Sequence, residues 1–334
     1  MSKQEFSIPA LATRLASEAD AYLLLEELRW GGQPDACPHC GTIGRCYFLT
    51  PRDGTASRKT RTGSLSQRRV WKCGSCRKQF SVLTGTIFHG SKIPLRTWLM
   101  VILEMCASKN GVAAREIERK YDLTAKTAWF LLHRIREAMK REPLAGLLSG
   151  VVQADETFMG GEPKNRHARD ERERVRRYAT TDKTPVFALV DTETREVRSR
   201  VVNDVTGATL RPAILEQVDA ERTVLHTDGA KSYRVVAPEL RGHASVSHEA
   251  GEYVRREAAA VVSINLAEGY FSQLKRSLDG THHHVSTEHL PRYLAQFDWL
   301  YTNCRATDSQ RMRRLIGQVG GRRLTYKPLT GDEE

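Results

Sequence analysis

The chain has 334 residues, is 40% hydrophobic, and carries 52 Lys and Arg against 40 Asp and Glu, a formal charge of +12. That length accommodates two or three domains with sizeable cores, and the basic balance favours a polyanionic partner, nucleic acid above all. No apolar run approaches the ~18 residues of a membrane span, and the N-terminus MSKQEFSIPA has no basic-then-apolar signal segment, so a soluble intracellular protein is expected.

Residues 1–32 read as an N-terminal helical segment. Leu11, Leu15, Ala19, Leu23, Leu24 and Leu28 recur at helical spacing, Asp20 and the Glu26–Glu27 pair keep the other face wet, and Gly31, Gly32 and Pro34 end it. Residues 33–90 follow as a small module with two CxxC knuckles, Cys37/Cys40 and Cys73/Cys76. Each knuckle can offer two thiolates to one tetrahedral ion, so the pair predicts one structural zinc in a zinc ribbon. A redox CxxC would not explain two of them, and Cys46 is a possible substitute ligand without a paired partner. The module has too little core to fold without its metal. The polar, basic stretch Arg52–Arg69 between the knuckles reads as a loop, and Gln79–Phe88 as a strand ending in a turn.

Residues 91–145 are helical. Leu95–Cys106 is apolar almost all round, which predicts a buried helix with Cys106 in the core. A short helix, a turn near Tyr121–Leu123 and a second helix capped by Thr124 then resemble a helix-turn-helix. Thr124, Lys126, Thr127 and Arg134 are its expected DNA-facing residues, though any three-helix bundle can show the same pattern.

From residue 150 the periodicity changes to strands. Gly150–Phe158 carries Asp155 near its end; Lys164–Arg177 is a charged insert without an apolar face; Pro185–Asp191 and Arg195–Val202 form a hairpin; Thr206–Val218 is helical; Arg222–Asp228 is a strand ending in Asp228. A short helix at Ala230–Val236 and a strand at His243–His248 follow. In Ile264–Leu278 the residues Leu266, Ala267, Tyr270, Phe271, Leu274 and Leu278 fill one apolar arc, with Glu268 and Lys275 a heptad apart at its border. Glu288–Arg305 is the last helix, and residues 307–334 read as a polar C-terminal tail.

The order β-β-β-α-β-α-β-α over residues 150–306 is that of a ribonuclease H-like α/β core, a mixed five-stranded sheet with helices. It sets Asp155, Asp228 and Glu268 at strand and helix ends that converge. Separately, Asp155 can cap a turn with Glu156 as its rival, Asp228-Gly229 is a common turn pair, and Glu268 can be a surface partner of Lys275. Together, three converging carboxylates call for cations, and two hard divalent ions, magnesium or manganese, fit that need.

The blocks CPHCG, WKCGSCRKQFSVLTGTIF, ADETFMGG, KTPVFALVD, LHTDGAKSY and NLAEGYFSQLKRSLDGTHHHVSTEHLPRYLAQFDWLYTNCR together resemble the bacterial insertion-sequence DDE transposases that carry an N-terminal zinc ribbon (the ISXO type), over residues 25 to 305. The resemblance implies a catalytic set of Asp155, Asp228 and Glu268 followed by Lys275, with Lys275 and Arg276 gripping DNA. Some relatives carry Asn in place of the third acid, and Asn265 stands one turn before Glu268. His282, His283 and His284 fall in a turn whose first position is aromatic in the family. The implied activity is cleavage at terminal inverted repeats, then joining of the 3′-hydroxyl ends to target DNA by a homodimer or larger oligomer. Double-stranded DNA is the implied partner, with no membrane and no small-molecule substrate, and the expected location is the cytoplasm, on the nucleoid. The rival readings are a ribonuclease H-like nuclease that does not join, and a zinc-ribbon/helix-turn-helix regulator with an inactive core.

Overall fold

The computed structural model describes residues 5–49, 58–59, 65–66, 68–141, 146–160, 183–247, 251–256, 261–326 and 329. The charged insert Lys164–Arg177 lies outside them. The chain divides into two compact units, residues 140–305 and the two flanking stretches 1–139 and 306–334.

The flanking unit opens with two helices where the periodicity predicted one, α1 (Ile8–Arg14) and α2 (Glu18–Trp30). The break is a capping box: Ser17 accepts from the Asp20 amide while Asp20 accepts from the Ser17 amide, which starts a new helix. Glu26, assigned to the wet face, is 1% exposed. Its carboxylate receives Arg69 Nε at 2.7 Å and Trp71 Nε1 at 2.8 Å, so it ties α2 to the ribbon. Trp30 completes that joint by packing edge-on to Trp71 and Phe80.

The ribbon is a three-stranded antiparallel sheet of β1 (Cys46–Phe48), β4 (Trp71–Cys73) and β5 (Gln79–Phe80), with β4 central. The two-residue strands β2 (Arg58–Lys59) and β3 (Leu65–Ser66) pair with each other between β1 and β4. The strand expected over Gln79–Phe88 stops at Phe80. Thr84 Oγ1 accepts from the Ser81 amide at 3.0 Å, and Thr86 Oγ1 donates to the Leu83 carbonyl at 2.7 Å. Such local side-chain bonds turn the backbone where β-branched composition alone suggested extension.

Helix α3 (Leu95–Ala107) is the buried helix expected, with Cys106 fully enclosed. Pro94, its N-cap residue, provides no side-chain cap; Glu18 does so from α2, accepting from the Leu95 amide at 2.6 Å. Helices α4 (Ala114–Tyr121) and α5 (Ala125–Met139) are joined by a tight turn in which Asp122 is left-handed at φ 51°. Thr124 caps α5, its Oγ1 accepting from the Thr127 amide at 3.2 Å.

Arg134 corrects the reading of α5. It was expected to face DNA, yet it is 5% exposed. Its Nη2 donates to the His89 carbonyl at 2.6 Å, and its guanidinium lies over the rings of Trp98 and Phe130. Burial lowers its pKa to about 10. Its aliphatic stem and flat head pack as part of the core. Arg134→Ala should therefore cost about 2–4 kcal/mol of stability in urea melts, where loss of an exposed DNA-facing arginine would cost almost none. A large drop in DNA affinity at unchanged stability would refute this placement.

The second unit is built on a five-stranded sheet of β6 (Leu148–Met159), β7 (Thr184–Asp191), β8 (Val197–Val201), β9 (Val218–Asp228) and β10 (Gly242–Val246). Their order across the sheet is β10-β9-β6-β7-β8. β7 is antiparallel to both its neighbours, β6 and β8, while β9 runs parallel to β6 and β10 parallel to β9. This is the ribonuclease H-like topology. One face carries Val152, Ala154, Phe187, Leu189 and Leu225 against α6 (Gly207–Leu215) and Tyr233. A hairpin of β11 (Val254–Arg256) and β12 (Val261–Ser263), not foreseen from the sequence, leads into α7 (Asn265–Ser277). A π-helical turn over Leu278–His282 and α8 (Leu290–Thr302) complete the unit.

The expected polar tail instead begins with a helix, α9 (Asp308–Gly317), started by a Thr307–Gln310 capping box. Met312, Leu315 and Ile316 are fully buried, and α9 packs on α3 and α2 of the flanking unit. Ser309 Oγ accepts from the Phe6 amide at 2.8 Å, and Arg311 Nη1 donates to the Cys106 carbonyl at 3.1 Å. Beyond it the chain bridges Thr86 through Gly320 and lays Tyr326 against Phe130 and Lys126.

Candidate functional site

Two sets of side chains invite metal. The first is the knuckle pair. The Sγ atoms of Cys37, Cys40, Cys73 and Cys76 all lie within 4.8 Å of one another. Cys37 and Cys76 are 3.7 Å apart and Cys40 and Cys73 3.8 Å apart. A tetrahedron with zinc–sulfur bonds of about 2.3 Å has edges of about 3.8 Å, so the donor set fits zinc closely. Amide donors prepare the sulfurs for it. Cys37 Sγ accepts from the His39 amide at 3.4 Å, and a backbone hydrogen bond from Cys76 holds the Cys73 thiol below its usual range. Cys46 stands beside the cluster but outside it, and burial raises its thiol.

The second set lies in the sheet unit. Strands β6 and β9 run parallel with Gln153 opposite His226. Asp155, just past the end of the β6–β9 pairing, and Asp228, the last residue of β9, each come two residues later, so both project on the face that carries Gln153. Glu156 has the opposite parity. It turns to the other face and receives the Tyr233 hydroxyl. Asp155 Oδ1 accepts from the Glu156 amide at 2.9 Å, and Asp228 Oδ1 from the Ala230 amide at 3.0 Å.

Helix α7 brings the third acid. Its buried face is Ala267, Tyr270, Phe271, Gln273 and Leu274, close to the arc predicted. Glu268 is half-buried in the first turn, whereas Asn265 is exposed. Gln153 docks this turn: its Oε1 accepts from the Leu266 amide at 2.8 Å and the Ala267 amide at 3.2 Å. Nothing in the sequence marked Gln153 except that it is a polar residue inside an apolar strand, two before Asp155.

The carboxylates feel one another's charge. The Asp155 carboxyl is pushed up to about 7, chiefly by burial and then by the charges of Glu156, Asp228 and Glu268. Burial likewise raises Glu156. A half-enclosed carboxylate among three others has a deficit of positive charge that divalent cations would supply. The carboxylates do not close on a point as the cysteines do; among the described residues only the cysteines form so tight a group.

Lys275 is exposed and makes no ion pair among the described residues. Seven residues span about 10.5 Å of helix, too far for direct contact with Glu268. Arg276 is also exposed, its Nε donating to the Ser272 carbonyl at 3.2 Å. His282 packs edge-on to Tyr293 and Phe297, as an aromatic residue there would. In the flanking unit Thr124 and Lys126 are exposed and Thr127 half-buried at the start of α5. No helix among the described residues is long and apolar enough to cross a membrane.

Residues 147–302 match the ISXO2-like transposase domain and residues 16–79 the transposase zinc-ribbon domain. A protein described as an uncharacterized protein in transposable element ISH50, from Halobacterium salinarum, is 27% identical over 289 residues, which cover 84% of this chain and 90% of that one. Among solved structures, the catalytic core domain of BIV integrase aligns over 48% of this chain and 85% of its own, at 15% identity and a TM-score of 0.29. A simian T-cell lymphotropic virus intasome in complex with the PP2A regulatory subunit B56 gamma covers 59% and 64%, at 12% identity and a TM-score of 0.28. Likenesses that distant carry no argument, and the fold assignment stands on the strand order. The two domain models, met in this order along the chain, and the transposable-element relative spanning most of it, identify a member of the insertion-sequence transposases with an N-terminal zinc ribbon.

Proposed function

We propose that the chain cleaves DNA at the terminal inverted repeats of its element and joins the freed 3′-hydroxyl ends to target DNA. The observation that carries this reading is that Asp155 and Asp228 share one sheet face and that the charge of Glu268, on α7, reaches Asp155, whose carboxyl is pushed up to about 7, chiefly by burial. Asp155, Asp228 and Glu268 would hold two magnesium or manganese ions. Bound there, the ions supply a Lewis acid for the attacking oxygen and one for the leaving oxygen of an in-line phosphoryl displacement. Glu268 is favoured over Asn265 because it is half-buried and its charge reaches Asp155. Water and then the 3′-hydroxyl take the same attacking position, so one carboxylate set serves both steps.

The remaining residues bind DNA in this reading. Lys275 and Arg276, exposed on α7 beyond Glu268, grip phosphates near the scissile bond. Thr124, Lys126 and Thr127 at the opening of α5, with the zinc-held ribbon, recognise the inverted repeats, since an exposed helix N-terminus suits a groove or a phosphate. Bringing two ends together requires at least a homodimer. The protein acts in the cytoplasm, on the nucleoid.

Incubation with duplexes bearing pre-cut ends tests joining directly. Joined product that depends on magnesium or manganese is expected, and cleavage without joining would leave a simple nuclease. Lys275→Ala should lower both steps at least about tenfold while changing stability by less than about 0.5 kcal/mol. Equal small losses in activity and stability would return Lys275 to an ordinary surface role.

A further inference from the structure

Helix α7 begins without a cap of its own. Its N-cap residue, Ile264, has no side chain able to accept a hydrogen bond, although the first amides of any helix need acceptors. Gln153 provides one from another element. It is 3% exposed, and its Oε1 takes both the Leu266 and the Ala267 amides, as a capping Ser or Asp would. Its Nε2 reaches Ser263 Oγ at 3.4 Å, so one side chain holds both sides of the junction between β12 and α7.

The same turn is held from behind. Tyr301 Oη donates to the Leu266 carbonyl at 3.0 Å and lies so close to Gly269 that an added Cβ would meet it at 3.3 Å. Tyr270 Oη donates to half-buried Asp298 at 2.6 Å, and Ser199 Oγ donates to the same oxygen at 2.7 Å. These contacts come from β8 and α8. Gln153 alone among them belongs to the strand that carries Asp155, two residues away along a rigid extended backbone. Glu268 is the residue after the amides it caps.

We infer that Gln153 is a positioning residue of the carboxylate site, a cap supplied from strand β6 that fixes where Glu268 stands relative to Asp155 and thereby sets the affinity for divalent cations. The inference rests on the proposed role of Asp155, Asp228 and Glu268 as ligands. Outer residues that orient ligands typically change metal affinity by about 10–100-fold when lost.

The test is titration calorimetry of manganese into the zinc-loaded full chain, with a melting temperature for each variant. Gln153→Met keeps the shape and removes the acceptor; it should weaken manganese binding about tenfold or more. Gln153→Glu keeps the acceptor and adds a negative charge, so it should bind manganese at least as tightly as the parent. Ser199→Ala, which loosens α7 from the β8 side, should lose stability without losing manganese affinity. Should the Met variant not fold, Gln153→Asn, one methylene shorter, withdraws the acceptor and should show the same loss. Parent-like manganese binding by the Met or Asn variant, or an equal loss in Ser199→Ala, would overturn the positioning role. Equal binding by the parent and by Asp155→Asn would instead overturn the ligand assignment on which it rests.

Discussion

Asp155→Asn is expected to abolish cleavage and joining, a loss on the order of 10³-fold or more, and at the same time to make the magnesium-free protein more stable at pH 8. The second effect follows from burial. In the folded protein the Asp155 carboxyl is raised to about 7, above its ordinary value near 4. The folded state therefore holds this proton more tightly than the unfolded chain does. The stability it confers is complete below about pH 4 and is lost as the pH rises toward and through 7. Above that, the ionised carboxylate costs on the order of 2–4 kcal/mol, which a neutral amide avoids. Urea melts in magnesium-free buffer should show Asn ahead of Asp at pH 8, with the gap shrinking toward pH 4. Added magnesium should stabilise the parent and leave the variant unmoved. If Asn is no more stable than Asp at pH 8, the carboxylate is not under the electrostatic load described.

The other large effect is at the ribbon. Stripping zinc should unfold it, because the sheet of β1, β4 and β5 has few buried apolar side chains besides Trp71 and Phe80. A four-thiolate zinc site contributes an apparent binding free energy of about 10–16 kcal/mol at neutral pH, far more than such a core. The readout is the near-ultraviolet signal of Trp30 and Trp71, which pack edge-on at 6.2 Å and should lose that fixed geometry. Cys73→Ser should reproduce the chelated state, since Cys73 is fully buried. Cys46→Ser should not, because Cys46 lies outside the cluster. A chelated protein that kept the tryptophan signal would show that the ribbon stands without its metal.

How far the sequence could be read depended on whether the decisive contacts were local. The knuckles were legible because each CxxC carries its own geometry. The sheet was legible because strand runs and turn residues alternate clearly from Gly150 onward, and α7 because its apolar arc is nearly complete in one segment. Arg134 was misread because the partners that enclose it, Trp98, Phe130 and the His89 carbonyl, come from three separate places. Helix α9 buries only a few apolar side chains in a charged stretch, so composition hid it; the Thr307–Gln310 capping box was the signal that would have revealed it. Gln153 matters through two amides more than 110 residues away, and no local pattern marks such a partner. The acids themselves stood out at strand ends, but that Glu156 faces away from Asp155 follows from sheet parity, once the register is known.

The return of α9 to the helices at the start of the chain has a consequence for the order of synthesis. Phe6 and Ser309, which share a hydrogen bond, are separated by 303 positions. The whole sheet unit, residues 140–305, is threaded between the two parts of its neighbour. On the ribosome the sheet unit is therefore complete before the ribbon-bearing unit has received its last helix, although the ribbon itself was made first. Loss of the final thirty or so residues would strip core from the beginning of the protein, and a chain released early would carry a finished sheet unit beside an open ribbon-bearing one.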